Sequence, residues 1–289
     1  MIPEQIPAVA VPAVILAIFA LRAALWRLGV LGLRLGPPLS LRIRAWPIWL
    51  RVAPARTLLR EGYPRPYAVL MARFAPASFT GLPLTLMCLA ALYAAALLGG
   101  LIDDLQETEG LVRLDQGVNG FFASYRTTWL VGAFIWVTAL GAGPAITGMA
   151  AIASALLWSQ GQARLLVPLW ITVLGAQGTT WAGKYAIGRA RPTFLDAVTE
   201  ATPSFPSGHA TASTALIGFI AYTAVRSLPG ARQRFEVTFW SAVTIGLICF
   251  SRIFLGVHYV SDVAAGVLVG VFWLLVGFTI AELARRPVP

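Results

Sequence analysis

An all-α fold, built as a polytopic transmembrane helical bundle, is what this sequence predicts, on three observations. The first is composition: 58% of the 289 residues are apolar and only 12% are charged, about half the charge of an ordinary soluble domain. The second is the set of uncharged runs, several of them about 20 residues long, enough to cross a hydrocarbon core as helix. The third is where the cations fall. Ten arginines lie between Arg22 and Arg73 and more flank later apolar runs, as in cytoplasmic loops under the positive-inside rule. That distribution also argues against reading the net charge of +10 as a nucleic-acid surface. No zinc pattern, RNA-binding motif or soluble basic domain accompanies it.

Seven runs are candidate spans: 6–26, 79–101, 128–158, 165–184, 209–226, 236–254 and 260–281. The first is interrupted by Arg22, which can snorkel to an interface, and adds an extra helix ahead of a six-helix core. Residues 27–77, rich in Arg, Pro and Trp, read as an interfacial segment. After the second run comes an acidic connection with Asp103, Asp104, Glu107 and Glu109, then "LVRLDQGVNGFFASYR", a short amphipathic helix expected to lie at the surface. The run 128–158 is too long for one helix of normal tilt and too short for two full crossings. It is read as one crossing, with Gly141-Ala-Gly-Pro144 the point where a hairpin would otherwise form. Cys88 and Cys249 sit inside apolar runs and imply neither a disulfide nor a metal site. Met1-Ile-Pro-Glu4-Gln5 lacks the basic leader of a secretory signal, so a cleaved signal peptide is not expected.

Topology follows from charge. With the Arg22–Arg73 segment in the cytoplasm, the chain exits at 101, returns near 158, exits at 184, returns at 226, exits at 254 and ends inside. Sixteen of the 22 cations then lie inside. The other six are Arg113, Arg126, Lys184, Arg189, Arg191 and Arg252. Crowding of Lys184, Arg189, Arg191 and Arg252 into short outer stretches needs a cause other than topology.

Three stretches carry chemistry. In Lys184-Tyr-Ala-Ile-Gly-Arg189-Ala-Arg191-Pro192 the lysine is the only one in the chain. Arginine offers a planar fork for phosphate and lysine a point charge; alone, anchoring of a helix end is the lesser reading of the stretch. Pro206-Ser207-Gly208-His209 opens an apolar run, so unpaired N–H groups at a helix start would face an anion beside His209. Alone, a simple N-cap is the better reading. In Ser251-Arg252-Ile-Phe-Leu-Gly-Val-His258-Tyr-Val-Ser-Asp262 the last His and Asp are spaced i, i+4 and share a helix face, where the carboxylate can fix the imidazole's tautomer. Alone, that is as well read as a structural pair. Together the stretches hold both histidines and the sole lysine, on one side of the membrane. Ionisable groups gathered at membrane depth are costly and usually functional. Asp103 and Asp104, by contrast, read as a solvated acidic loop, and no zinc site can be built from two histidines and no clustered cysteine.

In this order K-x6-R-P, P-S-G-H and S-R-x5-H-x3-D resemble the three signature motifs of the type 2 phosphatidic acid phosphatase family, within the lipid phosphate phosphatase and haloperoxidase superfamily. Lys184, Arg191, Pro192, Pro206, Ser207, Gly208, His209, Ser251, Arg252, His258 and Asp262 occupy the signature positions. The resemblance covers roughly 78–283, which makes 78–283 a transmembrane phosphatase domain, 1–77 an N-terminal hydrophobic helix with an Arg-rich interfacial segment, and 284–289 a cytoplasmic tail. "RFAPASFTGLPLTL" and "LVRLDQGVNGFFASYRTTWL" more loosely resemble bacterial undecaprenyl-diphosphate phosphatases.

The resemblance implies His258 as nucleophile, Asp262 as its orienting carboxylate and His209 as general acid. Lys184, Arg191, Arg252 and the backbone N–H groups around Ser207 and Gly208 would bind phosphate oxygens. Arg189, off the signature positions, reads as a bystander or an interface contact. No metal or other cofactor is required. The expected substrate is a lipid-linked phosphate or diphosphate, undecaprenyl diphosphate or a phospholipid phosphate foremost, in a bacterial inner membrane with the site facing outward. The alternatives are a lipid phosphotransferase with the same pocket and a non-enzymatic lipid-binding membrane protein.

Overall fold

The computed structural model describes residues 10–44, 56–75, 78–107, 109–192 and 201–284, and among them every regular element is helical. The chain divides into two compact units, Gln5–Leu86 and Met87–Pro289. In the first, α1 runs Ala10–Arg44 and α2 runs Pro64–Arg73. The expected span at 6–26 is longer than anticipated: Val11–Leu35 is apolar enough to cross a membrane, and the helix continues to Arg44. Residues 27–44 are therefore helix rather than a separate interfacial segment. Leucine and arginine are good helix formers, and no proline interrupts the sequence between Pro12 and Pro37, which accounts for the helix as far as Leu35; its passage through Gly36-Pro37-Pro38 to Arg44 has no such local cause. Positions 45–55 of that segment lie outside the described residues. In α2, Pro64 sits in the first turn, where a missing N–H costs nothing. Thr85 Oγ1 then reaches back to the Arg73 carbonyl at 3.0 Å.

The unit boundary falls inside α3 (Leu82–Glu107). The main unit continues with α4 (Glu109–Ala123), α5 (Thr128–Ala139), α6 (Gly143–Ser159), a single 3₁₀ turn at Ala163–Leu165, α7 (Leu166–Ile187), α8 (Gly208–Ser227), α9 (Ala231–Phe254) and α10 (Val260–Leu283). Asp103, Asp104 and Glu107, expected in a connection, ride on the last turns of α3 instead. Helices α5 and α6 meet at a bend of 41°. A helix of 12 residues rises only about 18 Å, short of the hydrocarbon thickness, and a bend of that size keeps the chain travelling forward. Among the described residues five helices are long and apolar enough to cross a membrane, and six when this bent pair is counted as one span, against the seven runs expected; the run at 209–226 is the one that falls short.

Helix α8 lies at the centre of the unit. All residues from Ala210 to Leu216 are buried, as is Phe219, and its stretch GHATASTALIG is too polar to pass as a lipid-facing span. Enclosed by α6, α7, α9 and α10, it needs no apolar outer surface. Its hydroxyls satisfy themselves against the helix, as when Thr211 Oγ1 donates to the Ser207 carbonyl at 3.0 Å. Small residues allow this packing, as is usual between membrane helices. A Cβ on Gly266 of α10 would stand 2.6 Å from the Ser207 carbonyl, and one on Gly270 2.6 Å from Thr214 Cβ. A Cβ on Gly277 would fall 1.8 Å from Thr172 Oγ1 of α7. At the far end Tyr222 donates to Glu282 at 2.5 Å, and Arg226 pairs with the same carboxylate at 3.1 Å. An apolar core of Ile146, Ala150, Leu165, Leu169, Leu216 and Phe219 fills the space between.

Gly277→Val should therefore overpack the α7–α10 contact, costing about 1–3 kcal/mol and lowering the thermal unfolding midpoint of the detergent-solubilised protein. Gly148→Val on α6, where an added Cβ meets nothing within 4 Å, should leave that midpoint unchanged.

Candidate active site

Helix ends bring the three stretches together. Helix α7 stops at Gly188, whose φ of 64° is a left-handed turn that glycine enters without strain. The chain leaves toward Arg189 and Arg191 while Lys184 stays on the last turn, 5% exposed. Lys184 Nζ donates to Thr202 Oγ1 at 3.2 Å and to the Pro203 carbonyl. A second left-handed glycine, Gly256 (φ 69°), turns the chain between α9 and α10. His258 follows, its backbone N–H bonded to the Arg252 carbonyl at 3.3 Å. Asp262, fully buried on the first turn of α10, accepts the Tyr259 N–H through Oδ2 at 2.9 Å.

The His258 imidazole, 1% exposed, lies between unlike charges. Its Nε2 is 3.1 Å from Arg191 Nη1, and its Nδ1 is 3.5 Å from Asp262 Oδ2. A guanidinium can only donate, so Nε2 accepts and the ring proton belongs on Nδ1, facing the carboxylate. Burial, helped by the charges of Arg252 and Arg191 and opposed by Asp262, pushes this imidazole down to about 4. At neutral pH the ring is uncharged, with its lone pair directed toward Arg191. Arg191 also donates to the carbonyls of Thr202 (2.6 Å) and Val257 (3.0 Å). Arg252, 1% exposed, holds Thr138 Oγ1 at 2.9 Å.

His209 is on the first turn of α8 and half-buried. Gly141, at the break between α5 and α6, makes room for it: a Cβ there would lie 3.2 Å from His209 Cδ2 and 2.7 Å from Ile248 Cγ2. Ser207 corrects one expectation. Its backbone N–H is not open to an anion, because it donates to the Asp262 carbonyl at 2.9 Å and fastens the start of α8 to α10. Its hydroxyl, buried and without a hydrogen-bond partner, is the group left to meet a ligand, with the N–H of Gly208 beside it.

Two further corrections concern residues read as peripheral. Arg189 is no bystander: it bonds Asp262 Oδ1 at 2.6 Å, Ser261 Oγ at 2.7 Å and Asp115 Oδ2 at 2.8 Å. The amphipathic α4 does not merely lie at the surface, since Asp115 and Asn119, spaced i, i+4, are fully buried. Arg126 beyond it donates to the Phe254 carbonyl at 2.6 Å and to Asn119 Oδ1 at 3.5 Å. An Asp and an Asn on one face of a short helix otherwise carrying Leu, Val and Phe were the sequence signal for this contact.

Lys184, Arg189, Arg191 and Arg252 stand against Asp115 and Asp262, an excess of two positive charges that suits a phosphate dianion. Among the described residues no group of three His, Cys, Asp or Glu side chains is placed to hold a metal ion.

Residues 164–286 match the family model of the PAP2 superfamily. Over 95 residues the chain is 39% identical to phosphatidylglycerophosphatase B of Bacillus subtilis (strain 168), a stretch that is 32% of this chain and 47% of that protein. The chain thus spans about half the length of the curated relative it matches. In architecture it is similar to the crystal structure of a transmembrane PAP2-type phosphatidylglycerolphosphate phosphatase from Bacillus subtilis. The TM-score is 0.63 at 24% identity, covering 68% of this chain and 98% of that one. At that identity the likeness speaks for the fold.

In protein labelled with ¹⁵N-histidine, held in detergent at neutral pH, one of the two ring systems should appear wholly as the Nδ1–H tautomer. The nitrogen shifts of His258 check this directly, and a wholly Nε2–H ring would contradict the geometry.

Proposed function

We propose, from the match of residues 164–286 to the PAP2 superfamily model, that the chain is a membrane-embedded phosphatase acting on a lipid-linked phosphate or diphosphate through a phosphohistidine at His258. One observation carries the reading. A neutral imidazole is held with Nδ1 toward a buried carboxylate and Nε2 toward a cation able to bind phosphate.

Phosphate entering the site replaces the Arg191–His258 contact with bonds from Arg191 to non-bridging oxygens. Lys184, Arg252, the Ser207 hydroxyl and the Gly208 N–H bind the remaining oxygen charge, which is the main source of catalysis in phosphoryl transfer. Nε2 attacks phosphorus, the bond to the leaving oxygen breaks, and His209 delivers the proton that oxygen needs. Asp262 stabilises the imidazolium so formed. Water then attacks the phosphorus, His209 takes its proton, the N–P bond breaks and inorganic phosphate leaves. The cations of the pocket supply the charge stabilisation, so the scheme calls for no metal.

Among lipids, similarity to a phosphatidylglycerophosphatase favours a phospholipid phosphate as substrate, with undecaprenyl diphosphate the next choice. Release of inorganic phosphate by purified protein from phosphatidylglycerophosphate, phosphatidate and undecaprenyl diphosphate tests the assignment, and no release from any of them would defeat it. His258→Ala should reduce turnover by several orders of magnitude; retention of more than about a tenth of the wild-type rate would remove His258 from the role of nucleophile. Because the active ring is neutral and its midpoint is lowered to about 4, kcat/KM should hold as pH falls through 6.5 and decline only near pH 4. An acid limb centred near 6.5 would contradict this.

We place the protein in a bacterial inner membrane with the site on the outer face. The forward bend between α5 and α6 supports the single crossing on which that parity depends. In a cysteine-free background, a cysteine at Ala201 should react with a membrane-impermeant thiol reagent in spheroplasts, and one at Gln233 only after lysis. The opposite pattern would put the site in the cytoplasm.

A further inference from the structure

Asp115 is a fully buried carboxylate that no step above uses, and it stands on α4, outside the matched residues 164–286. Its Oδ1 accepts the Ser261 backbone N–H at 3.1 Å, and its Oδ2 accepts the Ser261 hydroxyl and Arg189 Nη2, the latter at 2.8 Å. Arg189 turns its other Nη to Asp262 at 2.6 Å and lies over the Tyr259 ring, Cζ 4.2 Å from the centroid. One guanidinium therefore bridges two buried carboxylates, and the second of these faces His258.

We propose that Asp115 and Arg189 are a positioning pair for the nucleophile, fixing the Asp262 carboxylate and setting how much negative charge it presents to His258. The proposal rests on the reading of His258 as the attacking group. Two carboxylates against one guanidinium leave a surplus of one negative charge. The imidazole is neutral before attack and cationic once Nε2 has bonded to phosphorus, so the surplus answers the charge that the reaction creates. Arg189 beside Asp262 alone would make a neutral pair and leave the imidazolium unanswered. Asp262 with neither partner would carry the same net charge but lose the guanidinium that holds its carboxylate in place. Of the three arrangements only the observed one both supplies the charge and fixes the group that carries it. Ser261 adjoins Asp262 in sequence, so its two bonds to Asp115 also tie the first turn of α10 to α4. Both Nη atoms of Arg189 are engaged by protein, which makes its action on phosphate indirect.

The test uses full-length, ¹⁵N-histidine-labelled protein in detergent and follows the titration of His258, whose ring is faced by Arg191, Arg252 and Asp262. Asp115→Asn should lower the midpoint by about one pH unit and Arg189→Gln should raise it by about one, a charge at this range being worth that much. The double variant should return to within about half a unit of wild type. A merely structural role would not produce opposite shifts that cancel. On a lipid phosphate substrate, Asp115→Asn should lower kcat roughly tenfold with KM changed less than about threefold. In an Asp262→Asn background it should cause no further loss, since it acts through that residue. Shifts in the same direction, or below about 0.3 unit, would overturn the proposal, and so would full additivity with Asp262→Asn. If Arg189→Gln fails to fold, Arg189→Lys, which keeps the charge, must keep the wild-type midpoint while Asp115→Asn lowers it. A wild type that releases no phosphate from any lipid would defeat the hydrolase reading, while the opposite midpoint shifts would still decide this one.

Discussion

The burial of Asp262 organises everything around it. An ionised carboxylate out of water is tolerated only when cations and N–H donors surround it, and here those groups come from different parts of the chain. For the carboxylate, Arg189 arrives from the turn after α7 and the Tyr259 N–H from the cap of α10 itself; separately, the Ser207 N–H at the start of α8 bonds the main-chain carbonyl of the same residue. Satisfying one residue thus draws three helix ends to one place, and it is at those ends that His258, His209, Lys184 and Arg191 are carried.

The packing below makes that convergence possible. A bilayer offers no hydrophobic force to press helices together, so close approach has to come from small side chains. Glycines 266, 270 and 277 of α10 supply it, each standing where a methyl group would strike α7 or α8. Gly141 does the same for His209 at the break between α5 and α6. The polar cluster at one end of the helices and the small-residue contacts along the shaft are two halves of one arrangement. The first sets which ends meet, and the second lets the axes approach closely enough for them to do so.

Local features were legible in the sequence, whereas contacts between distant segments were not. Runs of apolar residues announced the spans, and the bounds of α7, α8 and α10 fall within three residues of those expected. The positions Lys184, Arg191, His209, Arg252, His258 and Asp262 could be read from spacing and resemblance, and the structure places Arg191, Arg252 and Asp262 around His258. Arg189 and Asp115 could not be paired that way: 74 positions separate them, and although Asp115 and Asn119 mark a polar face on α4, no spacing says which cation meets it. Ser207 shows a subtler limit. A helix start advertises free N–H groups, but whether one of them is already taken depends on a carbonyl 55 positions away. The continuation of α1 past residue 26 was missed for the opposite reason, since its arginines suggested an interface while leucine and arginine are good helix formers.

The placement of Asp115 also bears on how such a chain is made. Ser261, which receives it, lies 146 residues further along, so at ordinary rates of synthesis α4 waits on the order of ten to thirty seconds for its partner to exist. A carboxylate and a carboxamide cannot spend that interval in hydrocarbon. A short helix resting at the water boundary can keep both hydrated until α7 and α10 have inserted, then turn them inward as the last piece to dock. By this account α4 is a latch rather than a seventh pillar, and the polar side chains that keep it out of the bilayer during assembly are the ones that later close the bundle.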